Sequence, residues 1–151
     1  MSPKTVGFSI SVEKRIILHL VNCTHYIDRF EVGEEITQKG IADILQIRVT
    51  HVSRALKRIE MEGLLFKRKA IVKNRDRRMK TYYLTKKGIE YGNAVKAQMT
   101  NQSIYILTND GELRETKLWE IEKLYGIKID PLTAYTLTLK KGMIDLSHLK
   151  N

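Results

Sequence analysis

The sequence predicts an α+β fold, mainly α, and three observations carry that expectation. Apolar residues recur at helical spacing in several separate stretches. Two pairs of β-forming runs flank polar turns. Between the first helical stretches and the first such pair, residues 48–62 read as an amphipathic, cationic helix stopped by Gly63.

In chain order, Ser11 can cap a first helix from Val12 to about Thr24, with Ile16, Ile17, Leu20 and Val21 as its buried side. Residues 26–35 are mixed and acidic, with Phe30 and Val32 alternating in a short strand. Thr37 caps a short helix over 38–45 whose apolar side is Ile41, Ile44 and Leu45, and Gln46-Ile47 then makes a tight turn. In the helix that follows, wound at about 100° per residue, Val52, Ala55, Leu56 and Ile59 fall on one side. Thr50, Arg54 and Lys57 point the opposite way, with His51 and Arg58 on one flank and Ser53 on the other. Arg48 stands at the cap, where Ser, Thr or Asp is usual, and a residue placed there can reach a phosphate. Two short helices joined by a tight turn, the second cationic, match the helix-turn-helix pattern. The bland alternative is a surface helix whose charged face is merely solvated.

Residues 64–72 then read as a strand and 80–84 as its antiparallel return. The polar tip between them, 73–79, carries Lys73, Arg75, Arg77 and Arg78, too like-charged to fold back on itself comfortably. Thr85 caps a helix from Lys86 to about Met99 with Ile89, Tyr91, Ala94, Val95 and Met99 on a broad apolar side. A second hairpin spans 104–117 around Asn109-Asp110-Gly111, a strong turn signal. A short helix over 118–125 ends at Gly126, and Asp130-Pro131 starts another, although Tyr135, Leu137 and Leu139 would also alternate as a strand.

The formal charge of +10 is unevenly placed. Residues 48–87 hold fourteen Lys and Arg against three acidic residues, a net of +11, and the rest of the chain nets −1. Such a concentration favours a polyanionic partner, bound with counterion release. Outward Arg can take guanine O6 and N7 together, Thr and Ser can bond either base type, and flanking cations can hold phosphates. An anionic membrane surface would want large exposed apolar groups opposite the basic face, and the apolar residues here are committed to a core.

Other classes find little support. No apolar run approaches the roughly 20 residues of a membrane span, and the N-terminus lacks the apolar run of a secretion signal, so the expected location is cytoplasmic. Cys23 is single, which excludes an internal disulfide. His19, Cys23 and His25 lie near one another, but no second ligand cluster with zinc spacing follows, so no metal site and no cofactor are expected. There is no phosphate-binding Gly-rich loop, nucleophile elbow or metal-binding His-Glu-x-x-His helix, and Glu34-Glu35 reads as surface charge. An enzyme is not expected.

The segments Thr37-Gln38-Lys39-Gly40-Ile41-Ala42-Asp43-Ile44-Leu45, Val52-Ser53-Arg54-Ala55-Leu56-Lys57-Arg58-Ile59, Glu62-Gly63-Leu64-Leu65 and Tyr82-Tyr83-Leu84-Thr85-Lys86-Lys87-Gly88 together resemble winged helix-turn-helix regulators of the MarR-like kind. The chain is similar in particular to archaeal winged-helix regulators, in which a Phe-Glu-Val stretch (here Phe30-Glu31-Val32) leads into Thr-Gln. The likeness covers about residues 10–99 well and 100–125 loosely. It implies a winged helix-turn-helix with a C-terminal hairpin and helix extension, a recognition helix reading DNA through Thr50, His51, Ser53, Arg54 and Lys57, and a wing over 73–79.

The expected organisation is therefore a DNA-binding domain, 10–99, and an extension, 100–151, that dimerises or packs. The expected function is sequence-specific, double-stranded DNA binding in transcription regulation, as a homodimer. Arg48, Thr50, His51, Ser53, Arg54, Lys57 and Arg58 would lie in or beside the major groove, and Lys73, Arg75, Arg77 and Arg78 on the minor groove or backbone. Dimer candidates are the helix near 91–99 and Trp119, Ile121, Leu124 and Tyr125. The alternative is a winged-helix module for protein or RNA; single-stranded RNA would want aromatic platforms on the basic face, where only Phe66, Tyr82 and Tyr83 are available, on strands expected to pack inward. The sequence identifies no effector ligand.

Overall fold

The structure, a computed structural model, describes residues 10–149. The expectation that no secretion signal begins the chain falls on residues 1–9, outside that range, as do the last two residues of the expected 100–151 extension. The chain divides into two compact units, Ile10–Val95 and the part from Lys96 onward.

In the first unit, α1 (Val12–Val21) starts where Ser11 Oγ accepts a hydrogen bond from the Lys14 amide, 3.2 Å away. The helix stops earlier than the periodicity suggests, because the Asn22 and Cys23 amides bond to His19 and Leu20 three residues back and tighten the chain toward a 3-10 turn, Thr24–Tyr26. Val21 is consequently only half-buried. β1 (Glu31–Val32) and a 3-10 turn (Glu34–Ile36) lead to α2 (Gln38–Leu45), capped by Thr37, whose Oγ1 accepts from the Gly40 amide at 3.0 Å. α3 (Val49–Met61), β2 (Leu65–Val72), β3 (Arg78–Leu84) and α4 (Lys86–Thr100), whose residues from Lys96 on belong to the second unit, follow. The sheet order is β1-β2-β3, with β1 parallel to β2 and β2 antiparallel to β3 from Leu65 opposite Leu84 to Ile71 opposite Arg78. A helix-turn-helix followed by a two-stranded hairpin is the winged helix-turn-helix arrangement, in a fold that is α+β and mainly α.

Further expectations need correction. Ile44 is 54% exposed: the buried arc of α2 is Ile41, Ala42 and Leu45, which leaves Ile44 on its edge. Phe30 falls outside β1 and is also exposed. The wing tip is shorter than 73–79, because Arg78 and Met79 already pair with Ile71 and Ala70. On α4, Tyr91 and Ala94 are exposed, and within the first unit the inner side is Gly88, Gly92 and Val95. Absent side chains define that face: a Cβ on Gly88 would lie 1.9 Å from the Leu64 carbonyl oxygen, and one on Gly92 would lie 2.3 Å from Val21 Cγ2.

The second unit holds β4 (Ser103–Leu107), β5 (Leu113–Lys117), α5 (Leu118–Tyr125), α6 (Pro131–Lys141) and β6 (Ile144–Asp145), with sheet order β5-β4-β6. The hairpin turns at Gly111, whose φ of 82° suits glycine. α6 is helical, as Asp130 capping the Leu132 amide and Pro131 in the first turn require, and the threonines do not divert it into a strand. The parallel partner β6 has no counterpart in the sequence reading, since a two-residue strand leaves no periodicity to detect. Ile121 is 1% exposed, so it is core and not available for a dimer contact; Trp119 and Leu124 are exposed.

Gly88→Ala tests the close approach of α4. The added methyl meets backbone, which cannot rotate away, and overpacking of this kind costs roughly 1–3 kcal/mol, more than the gain in helix propensity of up to about 1 kcal/mol. The variant should melt at a lower temperature than the parent by calorimetry, and an unchanged or raised midpoint would refute the contact.

Candidate nucleic-acid interface

α3 has one dry face. Val52, Ala55, Leu56 and Ile59 are between 0% and 3% exposed and pack toward α1, α2 and β2. Fully burying Val52, Leu56 and Ile59 is worth about 1.5–3 kcal/mol each, which fixes which way the helix turns. The helix starts at Val49; Arg48 is its extended N-cap residue, makes no side-chain cap bond, and is exposed. α2 ends with Gln46 in the left-handed region, φ 55°, and the Ile47 amide returns to the Ala42 carbonyl at 3.0 Å, which makes the tight turn. An Arg15 Nη2 donates to the Leu45 carbonyl at 2.7 Å, placing a cation on the free carbonyls at the end of α2.

Burial of that stripe leaves Thr50, His51, Arg54, Lys57 and Arg58 exposed and Ser53 half-buried. Arg54 and Lys57 form no hydrogen bond or ion pair with any described residue. Arg58 differs. Its Nε donates to Glu13 Oε1 at 2.6 Å, so it ties α3 to α1 and its charge is already partly answered.

The wing is stitched at its base by the Lys73 amide donating to the Val32 carbonyl at 2.9 Å, and it turns through Asn74, φ 68°. Lys73 and Arg77 are exposed at the tip, and neither side chain pairs with a described residue. Arg75 is held back: its Nε donates to Glu34 Oε1 at 2.8 Å, anchoring the tip to the segment that leads into α2. Arg78 lies within β3, not in the tip. Sequence reasoning missed further exposed cations on the hairpin, Lys69 and Lys80, which face each other across the strands, and missed Arg29. A cluster of cations in a strand pattern was the available signal for the first two; the pairing of β1 with β2, which brings Arg29 close, leaves no signal.

The sulfur and imidazole groups near α1 are structural. His19 Nε2 lies 2.7 Å from the Glu35 carbonyl oxygen and 3.9 Å from Cys23 Sγ, and His25 packs on the Tyr26 ring. Burial, aided by the nearby Glu35 carboxylate, pushes the Cys23 thiol up to about 11. Among the described residues no three His, Cys, Asp or Glu side chains gather in a way that could hold a metal ion. No helix there is long and apolar enough to cross a membrane.

The winged helix DNA-binding domain family matches residues 12–88, more than half of the chain, and the chain belongs to that family. Solved structures to which it is similar include MepR, a transcription regulator of the Staphylococcus aureus multidrug efflux pump MepA, at 25% identity and a TM-score of 0.42, covering 60% of this chain and 58% of that one. They also include S. aureus MepR bound to ethidium bromide, at 29% identity, TM-score 0.41 and 60% and 57% coverage. A third is the S. aureus MepR–DNA complex, at 25% identity, TM-score 0.41 and 60% and 59% coverage. The chain thus spans under 60% of the length of each of these. No curated protein matches it.

The raised thiol pKa makes a direct check on the packing around α1. At pH 8 a pKa of about 11 leaves roughly one thiolate in a thousand, and the thiolate is the reactive form. Cys23 should therefore resist a disulfide reagent at pH 8 in the native protein and react promptly in urea. Above pH 9 the unfolded chain loses this proton while the native state keeps it, so stability should fall as pH rises from 9 toward 11. Rapid labelling of the native protein would show the thiol to be accessible.

Proposed function

We propose that this chain is a sequence-specific, double-stranded DNA-binding transcription regulator that works as a homodimer. α3 lies in the major groove with Thr50, His51, Ser53, Arg54 and Lys57 toward base edges and Arg48 on a phosphate. The wing follows the adjacent minor groove and backbone through Lys73 and Arg77. Arg58 and Arg75 act mainly by holding α3 and the wing in place, since both are engaged by carboxylates. Residues 10–99 bind DNA and 100–151 supply the dimer contact, with Trp119 and Leu124 as exposed apolar candidates. The chain acts by binding, without catalysis, metal or cofactor.

The observation that carries this reading is Arg54 and Lys57, exposed and without a partner among the described residues, on a helix whose other face is buried. Surface ion pairs contribute about 0–1 kcal/mol to a fold, so folding alone gives no reason to line this face with cations. A duplex does.

In vitro selection of bound duplexes from a random pool, read beside the light-scattering mass of the free protein, tests the whole proposal. A two-fold symmetric motif with half-sites about one helical turn apart, and a dimer mass, are expected; a pool that never narrows would defeat it. On the selected site, Arg54→Ala should cost roughly 1–3 kcal/mol and relax preference at one base pair. Lys73→Ala should weaken all duplexes alike and reduce the magnitude of the salt slope by about 0.9. The reverse pattern would exchange the two roles.

A further inference from the structure

Phe30 is an aromatic ring used neither by the core nor by the duplex interface, and it is 78% exposed. The parallel pairing of β1 with β2, Glu31 opposite Ile71, brings it beside the cation-rich hairpin from some forty residues away in sequence. There it borders a cleft of about 150 Å³ whose lining includes Arg29, Arg68, Lys69, Ala70 and Arg78. Arg68 is fixed in place, donating to the Ile27 carbonyl at 2.5 Å and lying 4.3 Å from the centre of the Tyr83 ring. Arg29, Lys69 and Arg78 pair with no described carboxylate, and Lys80 stands directly across from Lys69. Asp28 and Glu31, within two residues of Phe30, do not line the cleft.

We propose that this cleft is a second nucleic-acid site that takes an unpaired nucleotide of a DNA strand, the base stacked on Phe30 and the phosphates held by Arg29, Lys69 and Arg78. An exposed aromatic face bordered by cations is what single strands require, because every base offers a π-face and every linkage a charge. Phe66, Tyr82 and Tyr83 are half-buried or buried and cannot serve; the tertiary pairing supplies the platform that the basic segment itself lacks. A second copy could approach this cleft only with the part outside 48–87, which nets −1 and offers no concentrated negative charge to match the cations. One aromatic ring is too small an apolar face to hold a membrane surface. The choice of DNA over RNA rests on the DNA-binding reading of the same chain above.

The test is a fluorescence-anisotropy titration of the full chain with a labelled oligothymidine strand at low salt, run beside a blunt duplex. The parent should bind the strand, Phe30→Ala should bind it about tenfold or more weakly, and Phe30→Trp should bind at least as tightly. Arg29→Gln should reduce the magnitude of the strand's salt slope by about 0.7. Duplex affinity and melting temperature of Phe30→Ala and Arg29→Gln should equal those of the parent, which also shows that both fold. Equal strand binding by Phe30→Ala and parent overturns the proposal. So does a matching loss in Arg54→Ala, which would place the strand on α3, or a parallel loss of duplex binding in Phe30→Ala. Preference for oligouridine, or a Phe30→Ala defect confined to sedimentation with anionic phosphatidylserine vesicles, would assign the cleft to a different partner.

Discussion

Everything distinctive about the first unit follows from the burial of one stripe, Val52, Ala55, Leu56 and Ile59, against α1 and α2. Turning α3 by a third of a revolution would expose aliphatic side chains worth several kcal/mol in total and bury Arg54 or Lys57 without a partner, which costs still more. The outward presentation of the cations is therefore enforced by the core. Neighbouring groups reinforce it: Arg58 is pinned to Glu13 on α1, Arg15 caps the end of α2, and the turn at Gln46-Ile47 closes on Ala42.

The hairpin solves a related problem at its two ends. Near its base Thr81, Tyr82, Tyr83 and Leu84 are buried, and Phe66 stacks on Tyr83 with ring centres 5.3 Å apart. Further out, Lys69 faces Lys80, a like-charge cross-strand pair that weakens a sheet by roughly 0.2–1 kcal/mol. The buried base tolerates that penalty. The Arg75–Glu34 pair then ties the tip to the approach of α2, so the wing and the helix-turn-helix share a fixed connection.

Much of this was legible in the sequence, for identifiable reasons. The stripe of α3, the caps at Ser11, Thr37 and Asp130 and the Asp-Gly turn are local signals, and local signals survive in a single sequence. The misreadings were non-local. Ile44 and Phe30 are apolar in apparently buried patterns yet exposed, because burial depends on which neighbour covers a face. Gly88 and Gly92 escaped notice because their contribution is the absence of a side chain where Leu64 and Val21 press close. At the proposed interface, residue type marked out Arg54, Lys57 and Lys73, but not that Arg58 and Arg75 are engaged by Glu13 and Glu34, or that β1 delivers Phe30 and Arg29 to the hairpin.

The central claim is that the core forces one cationic helix face into a groove, and backbone-amide shift mapping during titration with a selected duplex tests it most directly. The account predicts perturbations concentrated at residues 48–57 and 73–77, with the buried stretch 16–20 of α1 nearly silent. Perturbations centred on the part from Lys96 onward, with 48–57 unmoved, would contradict it.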